Sequence, residues 1–164
     1  IQKHFLIIMS MSEKDLKLYL KNKGINARII IFDKPTTTVQ EAENVLGISR
    51  ERIIKSMVFI DDKGSPILAI VTGDKKIDAK KLAKECEVKE VRLANPIEVK
   101  NFTGYEIGAT PPFGFKNSIR TIIDPKVIEY DKVYGGGGAT NALLEINTKD
   151  LLKLTNGKIA NISK

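Results

Sequence analysis

The chain of 164 residues contains one histidine, one cysteine and no tryptophan. The histidine, His4, lies close to the start of the chain, so a histidine base, a Ser–His–Asp or Cys–His pair, or a histidine zinc site would require these first residues to fold back onto the rest. The lone Cys86 excludes an intrachain disulfide and a thiolate metal cluster. We interpret it as a half-buried apolar residue behind a lysine-rich helix rather than as a nucleophile. Catalysis by the main body of this chain must therefore use lysine, carboxylates, backbone amides or the substrate itself.

Long apolar runs are also absent. No stretch approaches the ~20 apolar residues that span a bilayer, and the run at 5–9 is shorter than the about 7–15 residues of a secretory signal core. We therefore predict a cytoplasmic protein with no membrane partner. With 42% hydrophobic and 29% charged residues, the composition is typical of one compact domain. We place it at residues 12–164, after an N-terminal extension (1–11) of little structural weight.

Acidic residues are outnumbered: 27 lysines and arginines face 20 aspartates and glutamates, a formal charge of +7. A polyanion such as nucleic acid is a plausible partner for such a surface. Lysine-rich surfaces also occur in proteins that simply remain soluble, so charge alone does not decide the matter. The absence of tryptophan and of an aromatic-rich basic strand disfavours a general RNA-binding domain.

Local signals predict an alternation of helices and short strands. Helices are expected behind the capping boxes that begin at Ser12 and Thr38, behind Asp78, at Pro96, and over 150–154 with Thr148 as the cap. Apolar, β-branched runs predict strands at 27–32, 53–60, 67–72, 88–93, 119–123, 143–146 and 159–162, whereas 125–134 is ambiguous. The turn residues at 61–64 should join the second and third strands into a hairpin. Strands outnumber helices, which favours a mainly antiparallel α+β domain over a doubly wound one.

Lys55 interrupts an apolar strand pattern. Strand alternation places it on the same face as Met57 and Phe59. Its side chain either snorkels out at the start of the strand or projects its ammonium into a pocket. In a pocket it would donate hydrogen bonds to a carboxyl, carbonyl or phosphate oxygen.

The segment 104–114 holds three glycines and a Pro-Pro pair. Proline fixes φ and lacks an N–H donor, while glycine permits positive φ, so the segment is a stiff, shaped loop. It is either a tight connection or a pocket wall whose backbone approaches a ligand.

Four consecutive glycines occupy 135–138. They suit a close approach of ligand, an anion-binding nest of amides, or a flexible entrance to the following strand. Neither a Walker loop nor Rossmann spacing is present.

Together these motifs resemble the YbaK/prolyl-tRNA synthetase-associated editing domain family. The resemblance rests on I-x-K-S-x-V-F around Lys55, the preceding T-V-Q-E-A-E-N-V-L-G helix, G-x-x-x-G-x-x-P-P-F-G from Gly104, Asp124, and the glycine run ahead of L-L-E-I. It covers roughly residues 12–155 in the order of the family.

The resemblance implies a freestanding aminoacyl-tRNA deacylase that acts in trans, hydrolysing the ester between a wrong amino acid and the terminal adenosine of tRNA. It implies an α+β fold with a curved, mostly antiparallel, barrel-like sheet flanked by helices. Lys55 and Gly108 match the family's catalytic positions: Lys55 would hold the terminal nucleotide or carbonyl region, and the Gly108 backbone would lie near the scissile carbonyl. No metal or cofactor is implied, because an activated ester needs only positioned water and a stabilised oxyanion.

The substrate-binding positions follow from the same resemblance and from the loop analysis. Ser56 stands where some members carry asparagine, and 139–141 lack a histidine that some members have there, so the amino acid removed is left open between alanine and cysteine on tRNA(Pro) and others. An ordinary core role is the alternative for the apolar members of the set. The set is Phe32, Ser56, Met57, Gly104, Ala109, Thr110, Pro111, Pro112, Phe113, Gly114, Gly136, Gly137 and Gly138.

The partners implied are the tRNA acceptor end with its attached amino acid and, as a further candidate, an aminoacyl-tRNA synthetase. Acceptor-stem phosphates could meet Lys75, Lys76, Lys80, Lys81 and Lys84, for which a solvated helix face is the alternative. The competing function is a non-catalytic aminoacyl-tRNA or nucleotide-binding regulatory module, which would bind without hydrolysis.

Overall fold

The computed structural model describes residues 10–164. His4 and most of the predicted N-terminal extension lie outside them. The helices are α1 (Glu13–Asn22), α2 (Val39–Leu46), α3 (Ala79–Glu85), α4 (Pro96–Thr103) and α5 (Thr148–Thr155), with 3₁₀ turns at Arg50–Arg52 and Pro125–Glu129. The strands are β1 (Arg28–Ile31), β2 (Ile54–Asp61), β3 (Pro66–Thr72), β4 (Val91–Leu93), β5 (Arg120–Ile123), β6 (Lys132–Gly136), β7 (Ala142–Asn147) and β8 (Lys158–Ile159).

The strands form two sheets. One has the order β4-β2-β3-β5-β8 and the other β1-β7-β6. Pairs β3–β5 and β5–β8 are parallel, and the remaining four pairs are antiparallel. The predicted mostly antiparallel α+β fold is confirmed.

The barrel-like part of the prediction is wrong, because the sheet is not closed. Within residues 10–164 the larger sheet ends at the three-residue strand β4 and the two-residue strand β8. The predicted strand at 159–162 is therefore also too long. The sheets meet where Ile53, just before β2, bridges to Tyr134 of β6.

The predicted hairpin forms from β2 and β3, which pair from Ile54 with Thr72 to Ile60 with Pro66. In the turn the Asp61 carboxylate accepts hydrogen bonds from the amides of Lys63 and Ser65. Gly64 adopts φ +84°, a conformation that favours glycine. Local sequence therefore determines this connection.

Helix starts follow their caps. Ser12 and Thr38 form the expected capping boxes, and Asp78 caps α3. Thr148, however, is the first residue of α5 rather than its cap, because its hydroxyl donates instead to the carbonyl of Tyr130. None of the helices in the described part of the chain is long and apolar enough to cross a membrane.

Two apolar layers lie on the faces of the larger sheet. The bigger one contains Ile54, Val58 and Phe113, and the other contains Phe59, Ile67 and Cys86. Side chains alternate along β2, which explains why its residues divide between the two layers. Cys86 is buried, and this burial raises the pKa of its thiol. Its environment is that of an apolar core residue, and it is buried more deeply than the half-buried position predicted.

Candidate active site

A cavity of about 280 Å³ opens along one edge of β2. It is bounded by the residues that lead into α2, by the end of β6, and by the loop that follows α4. The cavity brings together six of the residues predicted from sequence, which are Lys55, Ser56, Met57, Gly108, Thr110 and Gly136.

The edge of β2 is open there because its neighbours stop short. β4 pairs only with Phe59–Asp61, and β6 reaches β2 only through the bridge at Ile53. The five residues 54–58 between these points all line the cavity. The site is therefore a gap in strand pairing, with main-chain groups on its wall.

Lys55 is half-buried and its ammonium donates a hydrogen bond to the main-chain carbonyl of Lys75. Burial lowers the pKa of Lys55, the Asp74 carboxylate acts in the opposite direction, and the positive charges of Lys76 and Arg50 lower the pKa further. Lys55 thus lines the cavity, and its ammonium is held on a carbonyl of the turn that follows β3. A pocket role for this ammonium stays a prediction.

The turn 73–76 holds this arrangement. The buried Thr72 hydroxyl donates to the Asp74 carboxylate at 2.6 Å. Gly73 donates its amide to the carbonyls of Arg50 and Ile53, and a Cβ on it would lie 2.7 Å from the Arg50 carbonyl oxygen. Only glycine fits so close an approach, and this fixes the turn beside Lys55.

Gly108 faces Thr37 across the cavity wall. Its φ is +81°, and a Cβ there would lie 2.8 Å from the Thr37 Cβ. Thr37 is in turn fixed by Glu41, whose carboxylate accepts from the Thr37 amide and hydroxyl and from the Thr38 amide. These hydrogen bonds lower the pKa of Glu41.

The glycine run packs against the loop 104–114. A Cβ on Gly136 would lie 2.2 Å from the Thr110 carbonyl oxygen. The Gly138 amide donates to the Ala109 carbonyl, and the Gly137 amide donates to the Ala142 carbonyl. Two amides of the predicted anion nest are therefore already paired within the protein.

The other predicted site residues lie outside this cavity. Pro112, Phe113 and Gly114 line a second cavity, where Phe113 stacks on Tyr19 with ring centroids 5.6 Å apart. Phe32 packs with the apolar cluster of Ala42, Ile53 and Leu143. Gly104 ends α4 at φ +86° and its carbonyl accepts the Met11 amide, while Ala109 and Pro111 are buried in the loop.

Sequence analysis missed the threonines 36–38, which line the cavity together with Val39 at the start of α2. The signal was present as three consecutive threonines running into a capping box. It also missed Ala94, whose amide donates to the Val58 carbonyl at 2.9 Å. Nothing local in the sequence marks that contact.

The cavity offers little to a metal ion. Among residues 10–164 there is no group of three or more histidine, cysteine or carboxylate side chains that could hold one. Its lining in this part of the chain includes one charged side chain, that of Lys55, and no carboxylate.

Of the five lysines considered for phosphate contact, Lys75 and Lys76 belong to the turn beside Lys55. Lys80, Lys81 and Lys84 are exposed on α3, and the Lys81 ammonium donates to the Ser163 carbonyl. Basic residues therefore continue along the sequence from the turn that binds Lys55 into α3.

Known proteins share this architecture. The family model of the aminoacyl-tRNA editing domain matches residues 33–154. EbsC of Enterococcus faecalis, named provisionally as a Cys-tRNA(Pro)/Cys-tRNA(Cys) deacylase, is 31% identical over 72% of this chain and 72% of its own length. The multifunctional Ser/Thr-tRNA deacylase ProXp-y of Escherichia coli is 29% identical over 60% of this chain and 59% of its own.

A solved structure titled, again provisionally, as a trans-editing enzyme for prolyl tRNA synthetase superimposes with a TM-score of 0.86 and 29% identity. The superposition covers 93% of this chain and 96% of the other. The family model, the named relatives and this structural match agree with the resemblance carried by Lys55 and the glycine-proline loop. The chain belongs to the aminoacyl-tRNA editing domain family.

Proposed function

We propose that this chain hydrolyses mischarged aminoacyl-tRNA in trans. Water adds to the ester carbonyl, the bond to the terminal ribose oxygen breaks, and the free amino acid and uncharged tRNA leave. The observation that carries the proposal is the cavity itself, which is lined by Lys55, Gly108 and the open edge of β2. The deacylase names that these relatives carry support the same reaction.

Lys55 is proposed to bind the tRNA end. An ammonium carries three donors, and one of them is used on the Lys75 carbonyl. The remaining two are available to a phosphate or carbonyl oxygen of the terminal nucleotide. Because the group is half-buried, its interaction with such an oxygen is stronger than it would be in water.

The proton is proposed to move through the substrate. The cavity lining within residues 10–164 holds neither a carboxylate nor a histidine. A neighbouring ribose hydroxyl of the tRNA can relay the proton from the attacking water to the leaving oxygen. Main-chain amides then stabilise the oxyanion, which suits an ester that is already activated.

Selection of the amino acid is proposed to follow from size. The remaining lining is largely aliphatic, with Met57, Val39 and Ile107 among its members. Such a wall admits a small side chain and excludes a large one by contact. We propose alanine, for its small size, or cysteine on tRNA(Pro) as the first substrates to test, with serine and threonine next. Relatives are named for Cys-tRNA(Pro) and for Ser/Thr-tRNA.

The tRNA is proposed to approach across α3. The exposed Lys80, Lys81 and Lys84 lie on the element that follows the turn beside Lys55. Phosphates of the acceptor stem would meet them there, with a salt-dependent affinity. An aminoacyl-tRNA synthetase is proposed as a further partner, and the cytoplasm as the place of action.

The proposal is tested by following release of radiolabelled amino acid from alanyl-, cysteinyl-, seryl- and threonyl-tRNA, with Lys55→Ala beside the unaltered protein. Release of at least one amino acid that depends on Lys55 supports the deacylase. Tight tRNA binding without release from any of them would overturn it and favour a regulatory module that binds charged tRNA.

A further inference from the structure

The main chain of Ser56 lies at the centre of the gap in β2. Residues 55, 57, 59 and 61 direct their amide and carbonyl groups toward β3, and Ile53 directs its carbonyl there. The hydrogen bonds from the Asp61 amide to the Ser65 carbonyl and from the Gly73 amide to the Ile53 carbonyl show this at the two ends of the pairing. Residues 54, 56, 58 and 60 therefore point to the other side. The bond from the Ala94 amide to the Val58 carbonyl confirms this direction.

At Ser56 this other side is the cavity. β4 has ended at its pair with Phe59, and β6 has left β2 after Ile53. On this side no strand pair has a residue opposite Ser56, and no turn or loop hydrogen bond of residues 10–164 reaches its amide or carbonyl. One donor and one acceptor thus stand side by side on the cavity wall, spaced as for the next strand of a sheet.

An aminoacyl ester offers the matching pair of groups. In an antiparallel sheet, two residues directly opposite each other exchange both of their hydrogen bonds. A single amino acid placed opposite Ser56 would donate from its α-ammonium to the Ser56 carbonyl and accept at its ester carbonyl from the Ser56 amide. This interaction requires no particular side chain on the substrate.

The acceptors of the site are uncharged. The described cavity lining holds no carboxylate that could pair with an α-ammonium, so the acceptors are main-chain carbonyls and the hydroxyls of Ser56, Thr110 and threonines 36–38. Among them the Ser56 carbonyl stands beside an amide in strand spacing, and a hydrogen bond from a charged donor to it is stronger than one between neutral groups. An unpaired edge of a sheet is also a surface onto which an extended segment adds readily.

We propose that the aminoacyl group binds as a one-residue strand on the open edge of β2, held through its α-ammonium and ester carbonyl by the backbone of Ser56. This inference rests on the proposed function and adds the feature of the substrate that is recognised. The Ser56 amide polarises the ester carbonyl, and acyl groups without a free α-ammonium are discriminated against. Peptidyl-tRNA, whose α-nitrogen is a neutral amide, donates an uncharged and therefore weaker hydrogen bond to the Ser56 carbonyl.

The test uses non-hydrolysable amides of 3′-amino-3′-deoxyadenosine that carry an alanyl, lactyl or propionyl group. These ligands differ only in having an ammonium, a hydroxyl or a hydrogen at the α-carbon. Calorimetry with the unaltered protein should give the tightest binding for the alanyl amide, about 10- to 100-fold tighter than the propionyl amide, with the lactyl amide between them. Equal affinities within twofold would overturn the proposal.

A protein variant separates the two hydrogen bonds. Ser56→Pro removes the amide donor and keeps a carbonyl, and proline is tolerated where the strand N–H faces outward from an edge. All three ligands should bind more weakly to this variant, while the preference for the alanyl amide persists. A preference that vanishes in Ser56→Pro, with an unchanged circular dichroism spectrum, would contradict the assignment of the ammonium to the carbonyl.

Failure of this inference is distinguishable from failure of the proposed function. The ligand series measures binding alone and gives its answer whether or not the protein folds with proline at position 56. If amino acid is released from mischarged tRNA but the three amides bind equally well, the proposed deacylase function holds. The proposed recognition by the Ser56 backbone is then wrong.

Discussion

The side chain of Lys55 ends on the main-chain carbonyl of Lys75, to which its ammonium donates a hydrogen bond. The two residues are twenty positions apart and are brought together by the β2–β3 hairpin. The carbonyl orients the lysine without neutralising it, so the positive charge remains available to a ligand oxygen. The closely packed Gly73 and the Thr72–Asp74 hydrogen bond hold that carbonyl in place.

Replacing the lysine should therefore remove a fixed charge from the cavity. We expect Lys55→Ala to lower kcat/KM for the preferred mischarged tRNA by about 10²- to 10³-fold, the usual effect of deleting one such donor. The initial rate of amino acid release measures this. Lys63→Ala, which removes an exposed lysine in the turn after β2, is the matched control and should retain full activity. A threefold loss or less in Lys55→Ala, with normal circular dichroism, would contradict the assignment.

The charge on Lys55 should also give the reaction an alkaline limit. Burial lowers the pKa of Lys55 below the ordinary lysine value of about 10.4. The ammonium is therefore deprotonated, and activity falls, at a lower pH than for an exposed lysine. The Asp74 carboxylate opposes this shift and Lys76 adds to it. Asp74→Asn should therefore move the alkaline limb of kcat/KM to lower pH, and Lys76→Ala should move it to higher pH.

These pH profiles require correction for spontaneous ester hydrolysis, measured without protein at each pH. Asparagine at position 74 can still accept the Thr72 hydroxyl, so the turn should persist in that variant. The alkaline limbs of kcat/KM are compared between the unaltered protein, Asp74→Asn and Lys76→Ala. If they coincide, or if they move in the reverse directions, Lys55 is not the group that titrates.

Gly108 combines a positive φ with a close neighbour, and the two effects can be separated. In Gly108→Val the side chain meets Thr37, whose Cβ would be 2.8 Å from the new Cβ, and the cavity wall must shift. Gly64→Val imposes a similar φ of +84° in the exposed turn after β2, where nothing lies within 4 Å. Both variants should lose about 1–3 kcal/mol of stability from backbone strain.

Deacylation distinguishes the two valine variants. Measured well below the melting temperature of each, activity should be lost in Gly108→Val and retained in Gly64→Val. Full turnover by Gly108→Val would show that the loop it occupies does not border the bound substrate.

The sequence predicts best what is decided locally. The Thr38 box is completed by Glu41 within four residues, and the turn at Asp61 by amides two and four positions away. Lys55 stood out for the same reason, since a charge that breaks an apolar strand pattern is visible without a fold. The pattern could not show which group the lysine contacts. Every residue carries a main-chain carbonyl, so no residue type marks the carbonyl of Lys75 as the partner.

The elements that were misjudged depend on distant contacts. An anion-binding nest was one of three alternatives for the glycine run, but the Gly138 amide is bonded to the Ala109 carbonyl 29 residues earlier. Thr148 has the residue type of a cap, yet the Tyr130 carbonyl takes its hydroxyl. Barrel closure likewise depends on which strands meet at the sheet edges, and β8 is too short to extend the pairing. Tertiary competition decided all three.

Acid should lower the stability of α4, which contributes Val99 to the cavity wall. Glu98, in the first turn of α4, pairs with Arg92 through contacts of 2.8 and 2.9 Å and accepts the Asn95 amide, which lowers its pKa to about 2. A carboxylate with a depressed folded pKa stabilises the fold at pH values above its ordinary pKa, near 4.5, and loses that contribution as pH falls toward 2. Glu98→Gln should therefore melt below the unaltered protein at pH 7, and the gap should narrow between pH 4.5 and 2.

Melting followed by circular dichroism across this range measures the Glu98 effect directly. Arg92→Ala provides the control, because the guanidinium is the first cause of the lowered pKa of Glu98. In that background the pH dependence of the Glu98→Gln difference should shrink, as a double-mutant cycle requires of two coupled groups. A melting difference of the same size at pH 7 and at pH 3 would mean that the charge of Glu98 does not stabilise α4. The adjacent cavity residues Ala94 and Val99 would then be held by apolar packing and by their main-chain hydrogen bonds to Val58 and Asn95.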